Sequence, residues 1–236
     1  VHDQRELAEF LSRLQSERKP QKWRYVEIRP LSTLASGQSD VTPSRSYCFH
    51  ELDLSPSLDD IFHGMHKDSI RRRIQHAERQ GVVYERGLSE KFVDEFYRLL
   101  LMTRRRHHLL PQPRAWFKNL VKFMGESVQI RIARKDGIAV AAIMTLRHRS
   151  SIIYKYGCSD ESLHNLGAMP FLFWKMIEES KASGTERIDF GRSDWDQKSL
   201  IHFKDKFGAT RKTLNYYRYP EEAASQPPAW REHKVG

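Results

Sequence analysis

Residues 138–146 are almost wholly apolar, and this run constrains the fold more than any other feature of the chain. The sequence Ile-Ala-Val-Ala-Ala-Ile-Met-Thr-Leu contains a single polar residue, and a short run of this kind is typical of a strand buried on both faces. The Asp136-Gly137 pair before it is typical of a hairpin turn, and residues 128–132 alternate between apolar and polar on the other side of that turn. We therefore expect a central strand in a sheet with helices on both faces.

Helix and strand patterns alternate on both sides of this run. From residue 82 onward the predicted order is β-α-α-β-β-β-α-β-α-β. Ile70, Ile74 and Ala77 give the helix 66–80 a buried stripe, Asp68 or Ser69 is expected to cap its start, and Gly81 comes next as a terminator. The predicted elements are helix 3–19, strands 23–28 and 47–52, helix 66–80, strand 82–85, two helices that end near 108 and 124, strands 128–132, 138–146 and 152–158, helix 166–182, strand 187–190 and a helix that carries Lys204.

Residues 187–207 bring charged groups to the end of a core strand. The apolar alternation of this strand stops at Gly191, and Asp189 and Arg192 lie at that end. An amphipathic helix comes next and carries Lys204 beside its apolar face. Charges gathered next to a core strand indicate a functional site.

The chain is strongly basic, and its excess charge is concentrated. The formal net charge is +10 and the isoelectric point is near 9.6, which favours anionic partners such as nucleic acid, phosphorylated substrates or an anionic membrane surface. Residues 66–114 contain twelve Lys/Arg and six Asp/Glu. Charge alone does not choose among these partners.

Cysteine and histidine spacing indicates neither a disulfide framework nor a metal site. Cys48 and Cys158 have no C-x-x-C partner, and the eleven histidines do not fall into ligand spacing with carboxylates. No run of about 18 apolar residues and no secretory leader is found. We expect reduced thiols and a cytoplasmic location.

The two ends of the chain differ from its middle. Residues 1–65 are too poor in apolar positions to hold their own core, and residues 31–46 are rich in Ser, Thr and Pro, so we expect a partial domain that packs on the remainder of the chain. Residues 220–236 are polar and contain proline, and we expect them to lack fixed structure.

The order of elements from residue 82 is the one that the GNAT acyltransferase fold uses. The chain resembles the Fem-type peptidyl transferases and their FemAB-like relatives most closely, in Ser-Ile-Arg-Arg-Arg-Ile-Gln-His-Ala-Glu-Arg-Gln-Gly-Val at 69–82, Ile-Asp-Phe-Gly-Arg-Ser at 188–193 and Leu-Ile-His-Phe-Lys-Asp-Lys-Phe-Gly-Ala at 200–209. The resemblance implies an α/β (α+β) fold with a mixed, mainly antiparallel sheet flanked by helices. It also implies that 1–65 is a partial first GNAT-like half, 66–219 the acyltransferase domain and 220–236 a flexible tail.

The same resemblance implies an N-acyltransferase. It would transfer an aminoacyl or acyl group from aminoacyl-tRNA to an amine of a peptidoglycan or other cell-surface precursor. Two alternatives stay open: an acyl-CoA-dependent GNAT enzyme of exopolysaccharide or surface-lipid biosynthesis, and a noncatalytic RNA- or anion-binding module. Peripheral contact with a membrane is compatible with the charge. The sequence names neither the donor, the acceptor nor the oligomeric state.

Two residues are expected to be catalytic, Lys204 from its place in the Phe-Lys motif of the resemblance and Asp189 from its place at the strand end. Lys204 would stabilise the developing oxyanion, and Asp189 would orient or deprotonate the attacking amine. The alternatives are a solvated helix lysine and an ion pair between Asp189 and Arg192. Arg192 and Trp195 are expected to bind substrate, with Trp195 as a lid or stacking platform.

Further substrate contacts are expected from one strand and two helices. Tyr154 and Tyr156 lie on the strand that borders the acyl site in GNAT folds, and alternation places Lys155 on the opposite face from both. The arginines Arg71, Arg72, Arg73 and Arg104 would bind tRNA or substrate phosphates, and the alternative is a solvated helical face.

No cofactor is expected, since the acyl donor acts as a co-substrate. GNAT enzymes that use acetyl-CoA present a Gln/Arg-x-x-Gly-x-Gly/Ala loop whose N–H groups hold pyrophosphate. Here that place reads His164-Asn165-Leu166-Gly167-Ala168. Gly167 and Ala168 match and would hold CoA if CoA is used, whereas His164 departs from the pattern.

Overall fold

The computed structural model describes residues 4–18, 20–31 and 42–219, which fall into two compact units. The larger unit comprises His50–Gly191 and Lys198–Arg211, and the smaller comprises Arg192–Gln197 with the described parts of Val1–Phe49 and Lys212–Gly236. The expectation for residues 220–236 lies outside the described residues. The division of the chain at residues 65 and 219 stays a prediction.

The order of elements predicted from residue 82 is confirmed. The elements are α1 (Gln4–Arg18), β1 (Val26–Ile28), β2 (Thr42–Asp53), α2 (Leu58–Gly64), a π-helical turn (Lys67–Arg71), α3 (Arg72–Arg79), β3 (Val83–Gly87), α4 (Glu90–Arg106), α5 (Arg114–Met124), a 3-10 turn (Gly125–Ser127), β4 (Val128–Lys135), β5 (Ile138–His148), β6 (Ser151–Ser159), a 3-10 turn (Glu161–Leu166), α6 (Ala168–Ala182), β7 (Arg187–Ser193), α7 (Lys198–Asp205) and β8 (Thr210–Tyr219).

Both units contain sheet, and the predicted mixed, mainly antiparallel arrangement is confirmed. In the larger unit the strand order is β2-β7-β6-β5-β4-β3. The β3–β4, β4–β5 and β5–β6 pairs are antiparallel, and β6–β7 is parallel. In the smaller unit the order is β1-β8-β2, with β1 and β8 antiparallel. Among the described residues, no helix combines the length and the apolar character needed to cross a membrane.

Two cores cover the two faces of the larger unit's sheet. Ala141 and Ile143 of β5 belong to the core that α3 and α6 complete, whereas Ala142 and Met144 belong to the core that α4 and α5 complete. Since successive strand residues point to opposite faces, β5 is buried on both sides. The expectation drawn from its apolar sequence is confirmed.

The predicted helix 66–80 exists, but its start differs from the prediction. Residues Lys67–Arg71 form a π-helical turn before α3. Neither Asp68 nor Ser69 caps the start; the side chain of His66 accepts a hydrogen bond from the Ser69 N–H. A ring nitrogen at this position does what a carboxylate or hydroxyl usually does.

The strand β6 contains a bulge that overturns one expectation. Tyr156 lies opposite Met144, but Tyr154 lies opposite Thr145, so Lys155 is an additional residue in β6. A bulge of this kind resets the alternation of side chains. Tyr154 packs on the α6 core and Tyr156 on the α4 core. The expectation that both tyrosines share a face is therefore wrong.

The smaller unit begins its main strand earlier than expected. β2 starts at Thr42 and not at residue 47, so the predicted interruption at 31–46 includes strand. Residues 32–41 lie outside the described part of the chain. β1 is limited to Val26–Ile28, shorter than the predicted 23–28.

Candidate functional site

Gly191 joins the two expected catalytic side chains at the end of β7. Its N–H donates to Oδ1 of Asp189 at 2.5 Å, and its carbonyl accepts from Nζ of Lys204 at 2.9 Å. Gly191 has a φ of +73°, a conformation that glycine adopts without steric cost. One peptide segment thus holds a carboxylate and an ammonium side chain in fixed positions.

Asp189 is a partly buried carboxylate in a cluster of charges. Burial raises the pKa of Asp189, the hydrogen bond from Gly191 lowers it, and Lys204 and Lys155 lower it further by their charge. The charge of Glu51 on β2 raises it. The net result is a raised pKa, which makes Asp189 a better proton acceptor than an ordinary aspartate.

Lys204 is buried, with 2% of its surface exposed. α7 places it beside Ile201, which is also buried. A solvated helix lysine is therefore the wrong interpretation of this residue. Burying an ammonium group is costly unless partners compensate it, and the Gly191 carbonyl is one such partner.

A second polar group, unrecognised in the sequence, adjoins Lys204. His50 of β2 is fully buried, and its Nε2 lies 3.1 Å from Oδ1 of Asp205. Arg211 donates two hydrogen bonds to the same carboxylate, of 2.6 and 2.5 Å. The bonds from Arg211 and the charges of its neighbours lower the pKa of Asp205 to about 2, and burial lowers that of His50. His50 lies 154 residues before Lys204 in the sequence, so no local pattern connects the two.

A half-open cleft of about 470 Å³ lies beside the start of α6. Arg73 donates to the carbonyl of His164 at 3.3 Å, and Nε2 of His164 lies 2.8 Å from Oγ of Ser159. The lining carries both signs of charge. It consists of Asp68, Ser69, Ile70, Arg73, Val140, Ala141, Ser159, Asp160, Leu163, His164, Ala168, Met169, Pro170, Phe203 and Lys206.

Gly167 and Ala168 lie where the CoA loop was expected, but packing explains the glycine. Gly167 precedes α6 with a φ of +74°, and a Cβ there would lie 2.4 Å from the backbone oxygen of Arg73. The absence of a side chain is therefore required by the contact between α3 and α6. Ala168 lines the cleft.

In the smaller unit, the guanidinium of Arg192 contacts two aromatic rings. The guanidinium of Arg192 lies 4.1 Å from the ring centroid of Tyr47 and 4.8 Å from that of Tyr216. Trp195 is 46% exposed, and its Nε1 donates to Oγ of Ser46 at 3.2 Å. The tryptophan keeps an open ring surface, as a stacking platform would require.

The predicted arginine cluster diverges, because three consecutive helical residues point in different directions. Arg71 is half-buried and Arg72 forms an exposed ion pair with Asp68 at 2.7 Å. Only Arg73 of the three lines the cleft. Arg104 is half-buried near the end of α4.

The tyrosines expected at the acyl site belong to the cores. The parallel pairing of β6 with β7 ends at Ile153 and Asp189. Beyond that point Tyr154 packs against Phe173, with ring centroids 4.8 Å apart, and Phe173 stacks on Phe190 at 5.4 Å. These rings belong to the core on the α6 side of the sheet. Tyr156 packs against Phe117 on the other face.

The fold is similar to those of several solved structures. The crystal structure of FemX aligns with a TM-score of 0.78 and 13% identity over 91% of this chain and 76% of that one. The C-terminal domain of a putative lysylphosphatidylglycerol synthetase from Agrobacterium fabrum aligns with a TM-score of 0.55 and 14% identity, over 78% and 62% of the two chains. L-PGS from Bacillus licheniformis gives 0.54 and 13%, over 90% and 65%. The chain spans slightly less than two thirds of these last two.

These identities establish likeness of fold, and FemX confirms the expected resemblance to Fem-type transferases at that level. No curated protein sequence matches the chain. A family model described as an acetyltransferase (GNAT) domain matches residues 65–204, more than half of the chain. The expected class of enzyme, an acyltransferase, is thereby confirmed. The chain belongs to the family of GNAT acetyltransferase domains.

Proposed function

We propose that this protein is an N-acyltransferase of Fem type, which transfers an aminoacyl group from aminoacyl-tRNA to an amine of a cell-wall or cell-surface precursor. The observation that carries the proposal is the pairing of Asp189 and Lys204 on the two sides of Gly191. A base of raised pKa and a fixed cation are the two groups that acyl transfer to an amine requires. The proposed location is the cytoplasm.

The proposed reaction uses Asp189 first. The acceptor nitrogen attacks the carbonyl carbon of the aminoacyl ester, a C–N bond forms, and the carbonyl electron pair moves to oxygen. The Asp189 carboxylate takes the proton that the nitrogen loses. Burial raises the pKa of Asp189, so the transfer is more favourable than to an ordinary aspartate.

Lys204 acts on the tetrahedral intermediate. Its ammonium group is fixed by the Gly191 carbonyl, and it would stabilise the oxyanion as the charge develops. The intermediate then collapses, the C–O ester bond breaks, and the departing hydroxyl oxygen recovers the proton from Asp189. A cation held in place before the reaction needs no reorganisation during it.

Three observations support a tRNA donor over CoA. Gly167 has a packing explanation that involves no phosphate. Tyr154 and Phe190, which follow the last paired residues of β6 and β7, pack with Phe173 and would compete with an extended thioester arm at that place. Asp68 and Asp160 line the cleft at the start of α6 and would repel the phosphates of CoA. The basic residues 66–114, including Arg73 and Arg104, would contact the tRNA backbone.

An acyl-CoA-dependent N-acyltransferase is the second candidate. The cleft of about 470 Å³ favours it, because the N-terminal turn of α6 and Arg73 both adjoin this space and helix N-termini bind phosphate. A noncatalytic RNA-binding module is less well supported, since it would have no use for a buried lysine beside a carboxylate of raised pKa.

A donor screen tests the proposal. Purified protein is incubated with charged tRNAs and, separately, with acyl-CoAs, each with a peptidoglycan-precursor peptide that carries a free amine. We expect saturable binding of charged tRNA and transfer of a labelled aminoacyl group to the peptide. Arg73→Gln should weaken donor binding, whereas Arg149→Gln, an arginine outside the cleft lining, should not. Saturable acyl-CoA binding with none to tRNA would select the second candidate instead.

A further inference from the structure

The apolar surface of α5 is wider than the part that the protein covers. Phe117 faces the core and is fully buried, but Trp116 is 49% and Phe123 75% exposed. Trp116 and Phe123 are seven residues apart, so they lie about 20° apart around the helix, two turns from each other. Met124 extends the exposed apolar side and is 39% exposed.

The segment that leads into α5 is also apolar and exposed. Leu109 is 52% exposed and Leu110 is 93% exposed. Single exposed leucines need no explanation, but several large apolar side chains gathered on one helix and its leading loop indicate an interaction surface. We define the α5 surface as Leu109, Leu110, Trp116, Phe123 and Met124.

The segment that carries this surface has charge of one sign. Residues 98–124 contain seven Lys/Arg and no Asp/Glu. Arg114 and Lys118 of α5 pair with acidic residues of α4, whereas Lys122 lies 5.3 Å from the ring centroid of Phe123 and Arg105 is exposed at the end of α4. The partner of this surface therefore carries negative charge as well as apolar groups.

We propose that the α5 surface docks on an anionic phospholipid membrane. A helix with exposed Trp and Phe beside lysines lies in the headgroup region with its apolar side chains in the acyl boundary. Trp116 has the ring type that favours this interface, and Lys122 and Arg105 would contact lipid phosphates. RNA would satisfy the cations but offers nothing to Leu110 or Met124, so the membrane fits both features.

The experiment is flotation of the full chain with vesicles. One set is phosphatidylcholine alone, and the other contains about one third phosphatidylglycerol. The anionic lipid attracts each basic residue near the membrane surface and so strengthens binding. The Trp116→Ser/Phe123→Ser variant removes apolar contact, and Arg105→Gln/Lys122→Gln removes charge. Ile138→Ser is the matched control, because Ile138 is 62% exposed outside this surface.

We expect the wild type to bind the anionic vesicles, less strongly in high salt and weakly without phosphatidylglycerol. The apolar variant should bind about 10- to 30-fold more weakly, the charge variant about tenfold more weakly on anionic vesicles alone, and Ile138→Ser like wild type. Failure to bind anionic vesicles would overturn the proposal, as would undiminished binding of the apolar variant. Self-association in light scattering that the apolar variant loses would assign the surface to a second copy instead.

Discussion

The end of β7 and the segment 98–124 are both rich in charge, but their charged side chains differ in burial. Lys204 is 2% exposed and Asp189 is partly buried, whereas Arg105 and Lys122 are exposed. A charge on the surface costs little, but a buried charge is costly and needs partners. We therefore expect a chemical role for the buried pair, Asp189 and Lys204, and a role in binding for the exposed charges.

The largest expected effect comes from replacing the buried carboxylate. Asp189→Asn keeps an oxygen that can accept the Gly191 N–H, but it removes the proton acceptor, so kcat should fall about 10²- to 10⁴-fold. Because burial raises the pKa of Asp189, ionisation of this group opposes folding at neutral pH. The melting temperature of the variant should therefore equal or exceed that of wild type.

The pH dependence of the rate tests the same role of Asp189. Asp189 works as a base only when ionised, so the wild-type rate should rise with pH through a midpoint above the ordinary aspartate pKa of 3.8. The residual rate of Asp189→Asn should not show this rise with pH. Asp196→Asn, at an exposed position, is the control and should keep rate and profile; a normal profile in Asp189→Asn would exclude the base role.

The next effect concerns backbone conformation at the cleft. Gly167→Ala should destabilise the protein by about 3 kcal/mol or more, because a positive φ costs about 1–2 kcal/mol and the new Cβ would also collide with the Arg73 carbonyl. Gly184→Ala, at a φ of +72° with open space around it, should lose only the first contribution. Urea unfolding of both variants measures the difference, and equal losses would show that the contact with α3 is unimportant.

A smaller effect is expected from the exposed charges. Arg72→Ala/Arg73→Ala should weaken tRNA binding about tenfold and flatten its salt dependence by about one log unit per lost phosphate contact. Arg71 is left in place because it is half-buried. Stability should change little, since both replaced residues are exposed. An unaltered affinity and salt slope would assign these arginines to a solvated face.

The smallest effect concerns acid stability. Arg211 holds the pKa of Asp205 at about 2, below its ordinary 3.8. The resulting stabilisation is present above pH 3.8 and is lost as the pH falls towards 2. Arg211→Met should remove about 1 kcal/mol, since Arg211 is half-exposed and solvent screens the pair. Unfolding measured at pH 6 should show the full difference from wild type, and the difference should shrink as the pH falls through 3 and be mostly lost at the folded pKa of about 2.

Local pattern was enough to predict most of the fold. The apolar run 138–146 indicated a strand buried on both faces, and the burial of Ala141, Ala142, Ile143 and Met144 in two cores confirms it. The bulge at Lys155 was missed, because a bulge depends on the pairing of β6 with β5 and leaves no mark in either strand alone. The prediction that Tyr154 and Tyr156 lie on the same face of β6 was wrong for that reason.

The candidate site was predicted only where its residues are close in sequence. Asp189, Gly191 and Lys204 lie within one short stretch, and the structure joins them. His50 and Glu51 come from β2 and reach this group through the neighbouring strands β2 and β7, which no spacing rule reveals. Lys204 was placed beside the core correctly, but its burial depends on packing around the whole of α7.

The central claim is that Lys204 stabilises the oxyanion of acyl transfer, and single-turnover transfer by Lys204→Met tests it most directly. Lys198→Met is the matched control, because Lys198 is an exposed residue of the same helix, whereas Lys206 lines the cleft. We predict a rate about 10²- to 10³-fold lower for Lys204→Met, with donor affinity unchanged and a melting temperature lowered by the loss of the bond to Gly191. Transfer at the wild-type rate in Lys204→Met, or an equal loss in Lys198→Met, would contradict the claim.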